Sequence, residues 1–285
     1  MNHDFDLRVR IREPRPVVFE RLLRIEHLSR WFCGWSRIEP RVGGKFRFGG
    51  ETCIFRPPGL GWETTIDEGE TLRRFAFSWP ISEAQTRVSY DLEDDAEETT
   101  ILRARHLGVP LADSTCGSVE DAWRMCLGNL KSITEGRSDS VRPDHEPPAP
   151  PNLRLTVLVE SPQGRVFEAF ADPSRLRQWA QTGSDSVRIE PHVGGRVELA
   201  WDDGPDEILE WVANRRIAMR WPRPQGDLRL AFDFEEKASG TAIYFSSEGY
   251  TDDEIPAMIH DRGRWSALFV GLKNLIEGGD PGFFA

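Results

Sequence analysis

The chain repeats itself at a spacing too long for a small structural repeat. Phe19-Glu20-Arg21-Leu22, Trp31 and Ile38-Glu39-Pro40-Arg41-Val42-Gly43-Gly44-Lys45-Phe46 return as Phe167-Glu168-Ala169-Phe170, Trp179 and Ile189-Glu190-Pro191-His192-Val193-Gly194-Gly195-Arg196-Val197. The order then continues, with Ser78-Trp79-Pro80 against Arg220-Trp221-Pro222, and Trp123 with Leu130-Lys131 against Trp265 with Leu272-Lys273. Counterparts stand 148 residues apart at Phe19 and Trp31, and 142 apart at Trp79, Trp123 and Leu130. Solenoid units recur every ~20–50 residues, so this period predicts a duplicated domain. The 10 tryptophans divide evenly about the same cut.

Composition agrees with that division and narrows the function. A chain of 285 residues accommodates two domains of roughly 140 residues, each able to bury its own core. The net charge of −11 argues against a sequence-independent grip on nucleic acid. It is split −2 over residues 1–137 and −9 over the remainder. No apolar run is long enough to span a bilayer, and Met1-Asn2-His3-Asp4 lacks a basic-then-apolar signal pattern. The expectation is a cytoplasmic protein with no nucleic-acid partner and no membrane insertion.

Cys33, Cys53, Cys116 and Cys126 all fall in the first half without a Cys-x-x-Cys pair, which predicts reduced, structural thiols. His3, His27, His106, His145, His192 and His260 are scattered. No metal site and no cofactor are expected from ligands that do not converge.

Periodicity gives both halves one order of elements. Phe5, Leu7, Val9 and Ile11 alternate along a first strand. A short helix over 17–24 should turn Phe19, Leu22 and Leu23 inward, and a second ends near Trp31. Gly43-Gly44 reads as a turn between strands. Further strands carry Phe75, Phe77 and Trp79, then Val88, Tyr90 and Leu92, then Thr100, Leu102, Ala104 and His106. A long helix over 114–135 closes the domain, with Val119, Trp123, Cys126, Leu127, Leu130 and Ile133 at helical spacing. Strands followed by a helix on one side describe an α+β domain. Residues 138–151, rich in proline, predict a semi-rigid polyproline linker between domains at 1–137 and 152–279.

Each half resembles the activator of Hsp90 ATPase homologue 1-like family of START-like, helix-grip domains (the SRPBCC superfamily). The resemblance rests on Pro-x-x-x-Val-Phe followed by a Trp, on Glu-Pro-x-Val-Gly-Gly, and on a Trp-Pro that ends a strand. It continues in His106-Leu107-Gly108 after a threonine-led strand and in a Trp early in the last helix. It implies two tandem domains, each a curved antiparallel sheet wrapped around a long C-terminal helix with an apolar cavity between them. It also implies binding or sequestration of a small hydrophobic or aromatic molecule, without a shared catalytic motif. A polyketide cyclase, aromatase or hydrolase activity is the alternative, and a chaperone-linked interaction module is a second.

The resemblance and strand parity together name the candidate cavity residues. They are Trp31, Trp62, Phe77, Trp79, Tyr90, His106, Trp123 and Leu127 in the first domain. In the second they are Trp179, Trp201, Met219, Trp221, Phe232, Phe245, Trp265 and Phe269. His106 and Tyr90 are the candidates for a polar or catalytic role, since a histidine on an apolar face either orients a ligand or is satisfied in the core. No Gly-x-Ser-x-Gly elbow occurs. Ser247 and Phe232 stand where the first half has His106 and Tyr90, so the second cavity is expected to be the more purely apolar or the more collapsed of the two.

Overall fold

The computed structural model describes all residues except 1, 97, 150–151, 181–186, 200, 202 and 285. Strand β1 (Asn2–Ile11) buries Phe5, Leu7, Val9 and Ile11 and turns the intervening residues outward, as a two-residue side-chain period requires. Pro14 and Pro16 end the strand and open helix α1 (Arg15–Leu23), whose first turn needs no N–H from proline. The inward stripe of α1 is Val18 and Leu22, while Phe19 and Leu23 are only half-buried. A helix this short offers the sheet a single i, i+4 pair, and Val18 takes the place expected of Phe19.

Helix α2 (Ile25–Trp31) leads into β2 (Trp35–Ile38), β3 (Lys45–Gly49), β4 (Trp62–Glu70), β5 (Arg74–Ile81), β6 (Ala84–Ala96) and β7 (Thr99–Pro110). Helix α3 (Cys116–Thr134) closes the domain, burying Val119, Trp123, Leu127, Leu130 and Ile133. The second domain repeats this plan with β8 (Asn152–Val159), α4 (Gln163–Ala171), α5 (Pro173–Trp179), β9 (Arg188–Ile189), β10 (Val197–Glu198), β11 (Glu207–Val212), β12 (Arg216–Trp221), β13 (Leu228–Lys237), β14 (Gly240–Glu248) and α6 (Ile255–Gly278). A final strand, β15 (Phe283–Phe284), pairs with β1, giving the order β15-β1-β7-β6-β5-β4-β3-β2 in the first sheet. The main sheet of the second domain runs β11-β12-β13-β14-β8. Both are antiparallel sheets gripping a long helix: two tandem α+β helix-grip domains.

The Gly-Gly motif performs the same work in each copy. Gly43 and Gly194 adopt φ of +75 and +78°, a region that costs an L-residue about 1–2 kcal/mol. Gly44 and Gly195 have ordinary φ, but a Cβ there would collide with the carbonyl oxygens of Glu39 and Glu190. The turn then ties into the next strand through Gly43 N–H to Ile66 O (2.9 Å) and Gly194 N–H to Ile208 O (2.8 Å).

The closing helices are also fastened alike. Lys131 Nζ donates to Arg10 O at 2.7 Å and to Glu135 Oε1 at 2.6 Å, and Glu135 accepts the Arg12 N–H at 2.8 Å. In the second domain Lys273 pairs with Glu277, which accepts the Glu160 N–H at 2.7 Å. Burial pulls the Glu135 carboxyl up, yet the Lys131 charge and the Arg12 N–H outweigh it and hold the group below its ordinary value.

The chain separates into two units, Met1–His145 with Gly282–Ala285, and Glu146–Pro281. The first half of the proline-rich segment is bound to the first unit. Asn129 donates to Val141 O at 2.9 Å and accepts the Ser140 N–H at 2.7 Å. Arg142 donates to Ser29 O (2.8 Å), Cys33 O (2.9 Å) and Thr52 Oγ1 (2.9 Å). Pro150 and Pro151, at the far end of the expected linker, lie outside the described residues.

Candidate functional site

All eight first-domain candidates are buried, and the rings among them join one aromatic cluster between sheet and α3. Strand register explains the arrangement. Val88 pairs with His106 and Tyr90 with Ala104 across β6 and β7, while Trp79 pairs with Thr86 across β5 and β6. His106 stacks parallel to Trp79 at 5.3 Å and meets Trp123 edge-on at 5.7 Å. Tyr90 meets Trp123 at 6.4 Å and Trp31 at 6.0 Å. Trp62 packs on Trp79 at 5.2 Å.

The histidine's tautomer follows from its partner. Thr86 donates its one hydroxyl proton to Trp79 O at 2.6 Å, so its oxygen accepts from His106 Nε2 at 2.7 Å. The proton of the neutral ring therefore sits on Nε2, and Nδ1 is a bare acceptor. Nδ1 has no hydrogen-bond partner, and neither do Tyr90 Oη, Trp79 Nε1 or Trp123 Nε1. Burial pushes the His106 pKa down to about 3 and raises that of Tyr90 well above its ordinary value. At neutral pH both groups are uncharged.

Four unpaired polar atoms in one aromatic core are costly, each by about 1–3 kcal/mol. The contrast with Trp31 is direct, because its Nε1 donates to Arg21 O at 3.2 Å. Trp179 repeats that bond to Ala169 O at 2.8 Å in the second domain. These two indoles are satisfied by the chain itself, whereas Trp79 and Trp123 present their N–H groups to no protein acceptor.

Sequence reading missed Phe32, Phe55 and Thr86. Phe32 touches Trp31, Phe48, Phe77, Trp79 and Trp123, and its place directly after Trp31 was the available signal. Phe55 is half-exposed on the loop between β3 and β4. It lies edge-on to Trp79 at 5.4 Å and to His106 at 5.8 Å. A groove of about 360 Å³ opens on the sheet surface beside Lys45, Glu63, Thr65 and Gln85. Lys45 and Glu63 are paired there at 3.2 Å, and the groove shares no residue with the aromatic cluster.

In the second domain Met219, Trp221, Phe232, Phe245, Trp265 and Phe269 are buried and Trp201 is half-buried. Trp265 meets Phe245 at 4.7 Å, Phe232 at 5.5 Å and Trp201 at 5.9 Å. Trp179 instead packs on Phe170 at 4.8 Å.

Ser247 stands in a polar network. Its Oγ donates to Tyr250 Oη at 3.2 Å, and Tyr250 donates to Asp261 Oδ2 at 2.7 Å. Burial raises the Asp261 pKa, although the Tyr250 bond and nearby Arg264 and Arg223 oppose it. Arg223 lies 5.0 Å over the Tyr250 ring and pairs with Glu254 at 2.9 Å. Arg264 lies 3.9 Å over Trp201. Tyr250 and Asp261 lie beyond the alternating strand positions, so no periodicity pointed to them.

No group of three His, Cys, Asp or Glu side chains among the described residues could hold a metal ion. No helix among them is long and apolar enough to cross a membrane. Burial pushes the Cys126 thiol up to about 12 and Cys53 to about 11, which leaves both poor nucleophiles.

Among solved structures, DynU16 from the dynemicin biosynthetic locus is similar at 15% identity and a TM-score of 0.42, covering 98% of this chain and 99% of that one. CalU16 from Micromonospora echinospora is similar at 21% identity and a TM-score of 0.38, covering 47% of this chain and 76% of that one. The Aha1 dimer from Colwellia psychrerythraea is similar at 19% identity and a TM-score of 0.39, over 47% and 97% of the two chains. No curated protein matches the chain. The profile of the Activator of Hsp90 ATPase homolog 1-like protein family matches residues 12–135 and again residues 160–277. Matched twice over most of its length, the chain belongs to that family, in two tandem copies.

Proposed function

We propose that the protein binds a small, neutral, hydroxyl-bearing aromatic molecule between sheet and α3 of its first domain, and acts by holding or carrying it. The observation that carries this reading is the bare Nδ1 of His106, fixed as an acceptor by Thr86 inside a ring of tryptophans. A ligand hydroxyl can donate to Nδ1 while a ligand oxygen accepts from the unpaired indole N–H groups or from Tyr90. Each such bond relieves an unpaired group, so the ligand gains more than an exposed hydrogen bond would give.

The polar atoms are enclosed by rings, so entry requires one ring to move. Phe55 is the half-exposed ring against His106. It sits on the loop that joins β3 to β4, and loops move more readily than the strands they join.

The enzyme reading draws less support from the same geometry. A histidine whose pKa is near 3 is a weak base at neutral pH, and general-base catalysis works best with a pKa near the operating pH. The test is calorimetric titration with 2-naphthol, a flat neutral phenol, against wild type and His106→Leu. Binding by wild type and a loss of about fivefold in the variant are expected. Equal affinity for both proteins would remove His106 from the site.

A further inference from the structure

We propose that the second domain holds a separate site for a planar aromatic carboxylate, anchored by one edge of the Arg223 guanidinium beside Trp221. The inference goes beyond the neutral ligand assigned to the first domain and rests on different atoms. Arg223 uses Nη1 for Glu254 and its flat face for the Tyr250 ring. Nε and Nη2 remain buried without a partner. These two atoms share one edge of the guanidinium, and their parallel N–H bonds match the two oxygens of a carboxylate. Arginine stays charged in proteins, so this edge cannot escape its need for an acceptor by losing a proton.

Two further unpaired atoms of this domain have the same sign. Trp221 Nε1 and Trp265 Nε1 are buried donors without acceptors, and Trp201 touches both rings, at 6.1 and 5.9 Å. These four unpaired atoms all ask for an oxygen lone pair. In the first domain the unpaired His106 Nδ1 is itself a lone pair and would repel a carboxylate. The stacked rings favour a planar ligand body. Arg264, stacked on Trp201 and 5.9 Å from Trp221, adds a second positive charge against these rings.

The test uses the full chain and the probes 1-naphthoate and 2-naphthol, which differ mainly in charge. Wild type is expected to bind 1-naphthoate, with shifts of the Trp221 and Trp265 indole N–H resonances, and excess 2-naphthol should not displace it. Arg223→Met should weaken 1-naphthoate by about tenfold or more and leave 2-naphthol affinity unchanged. Arg223→Lys, which keeps the charge but loses the paired N–H edge, should recover only part of the affinity and guards against a Met variant that fails to fold. Failure of wild type to bind 1-naphthoate, or unchanged affinity in folded Arg223→Lys and Arg223→Met, would overturn the proposal. Loss of 2-naphthol binding alone would overturn only the reading of the first domain.

Discussion

His106 Nε2 donates to Thr86 Oγ1 across 2.7 Å, and Thr86 passes its own proton to Trp79 O at 2.6 Å. This short relay fixes the imidazole tautomer and turns its free lone pair toward rings instead of backbone. Burial of the same ring gives the site its pH behaviour.

The unfolded histidine takes a proton near pH 6.5, whereas the folded ring stays neutral down to about 3. Between those values the unfolded chain binds the extra proton, so stability is complete above pH 6.5 and falls as pH drops through 5. His106→Leu removes this dependence. The difference in unfolding free energy between wild type and variant should change by about 2 kcal/mol from pH 6.5 to pH 5, measured by urea titration at each pH. A constant difference would mean that His106 takes up its proton in the folded protein as readily as in the unfolded chain.

Tyr90 carries a buried hydroxyl with no partner. Tyr90→Phe should stabilise the first domain by about 1 kcal/mol, since it deletes an unpaired polar group without changing shape. The same variant should bind 2-naphthol more weakly. Greater stability joined to weaker binding would identify the hydroxyl as kept for ligand; lower stability would show that it is satisfied in the folded core.

Phe55 covers His106 edge-on. Phe55→Ala should speed 2-naphthol association in stopped-flow fluorescence more than it changes affinity, because the ring closes the path and contributes little to the hydrogen bonds inside. An unchanged association rate would place the entry elsewhere.

Lys131 and Glu135 expose 0 and 5% of their side chains. Replacing Lys131 by Met removes one of two cations from the buried Glu135, which keeps Arg137 at 2.7 Å and the Arg12 N–H, and should cost about 1.5–3 kcal/mol, read by hydrogen exchange along α3. Lys273→Met should act in the same direction along α6, because Glu277 is held by Lys273 and by the Glu160 N–H.

The paired glycines separate two physical demands. Gly43→Ala meets only open space and should cost about 1–2 kcal/mol for its positive φ. Gly44→Ala meets the Glu39 and Arg41 carbonyl oxygens and should cost more than Gly43→Ala, since backbone must shift to admit the methyl. Thermal midpoints of the two variants, in that order, check the assignment.

Sequence alone determined the duplication, the α+β class and the burial of rings such as Trp79 and Trp123. Those properties follow from neighbours along the chain: alternation places Phe5, Leu7 and Val9 on one face, and helical spacing places Trp123 and Leu127 on another. The tertiary structure decided which polar atoms find partners. Trp31 and Trp123 are both buried tryptophans, yet the end of α1 offers Trp31 a carbonyl and nothing offers one to Trp123. Thr86 reaches His106 from 20 residues away, and Arg142 reaches Cys33 O from 109. Ser247, which periodicity marks only as a small inward residue, joins Tyr250 and Asp261 through a turn and a helix. Burial of a side chain is written in local pattern, but satisfaction of a hydrogen bond depends on groups that only the folded backbone brings within 3 Å or so of one another.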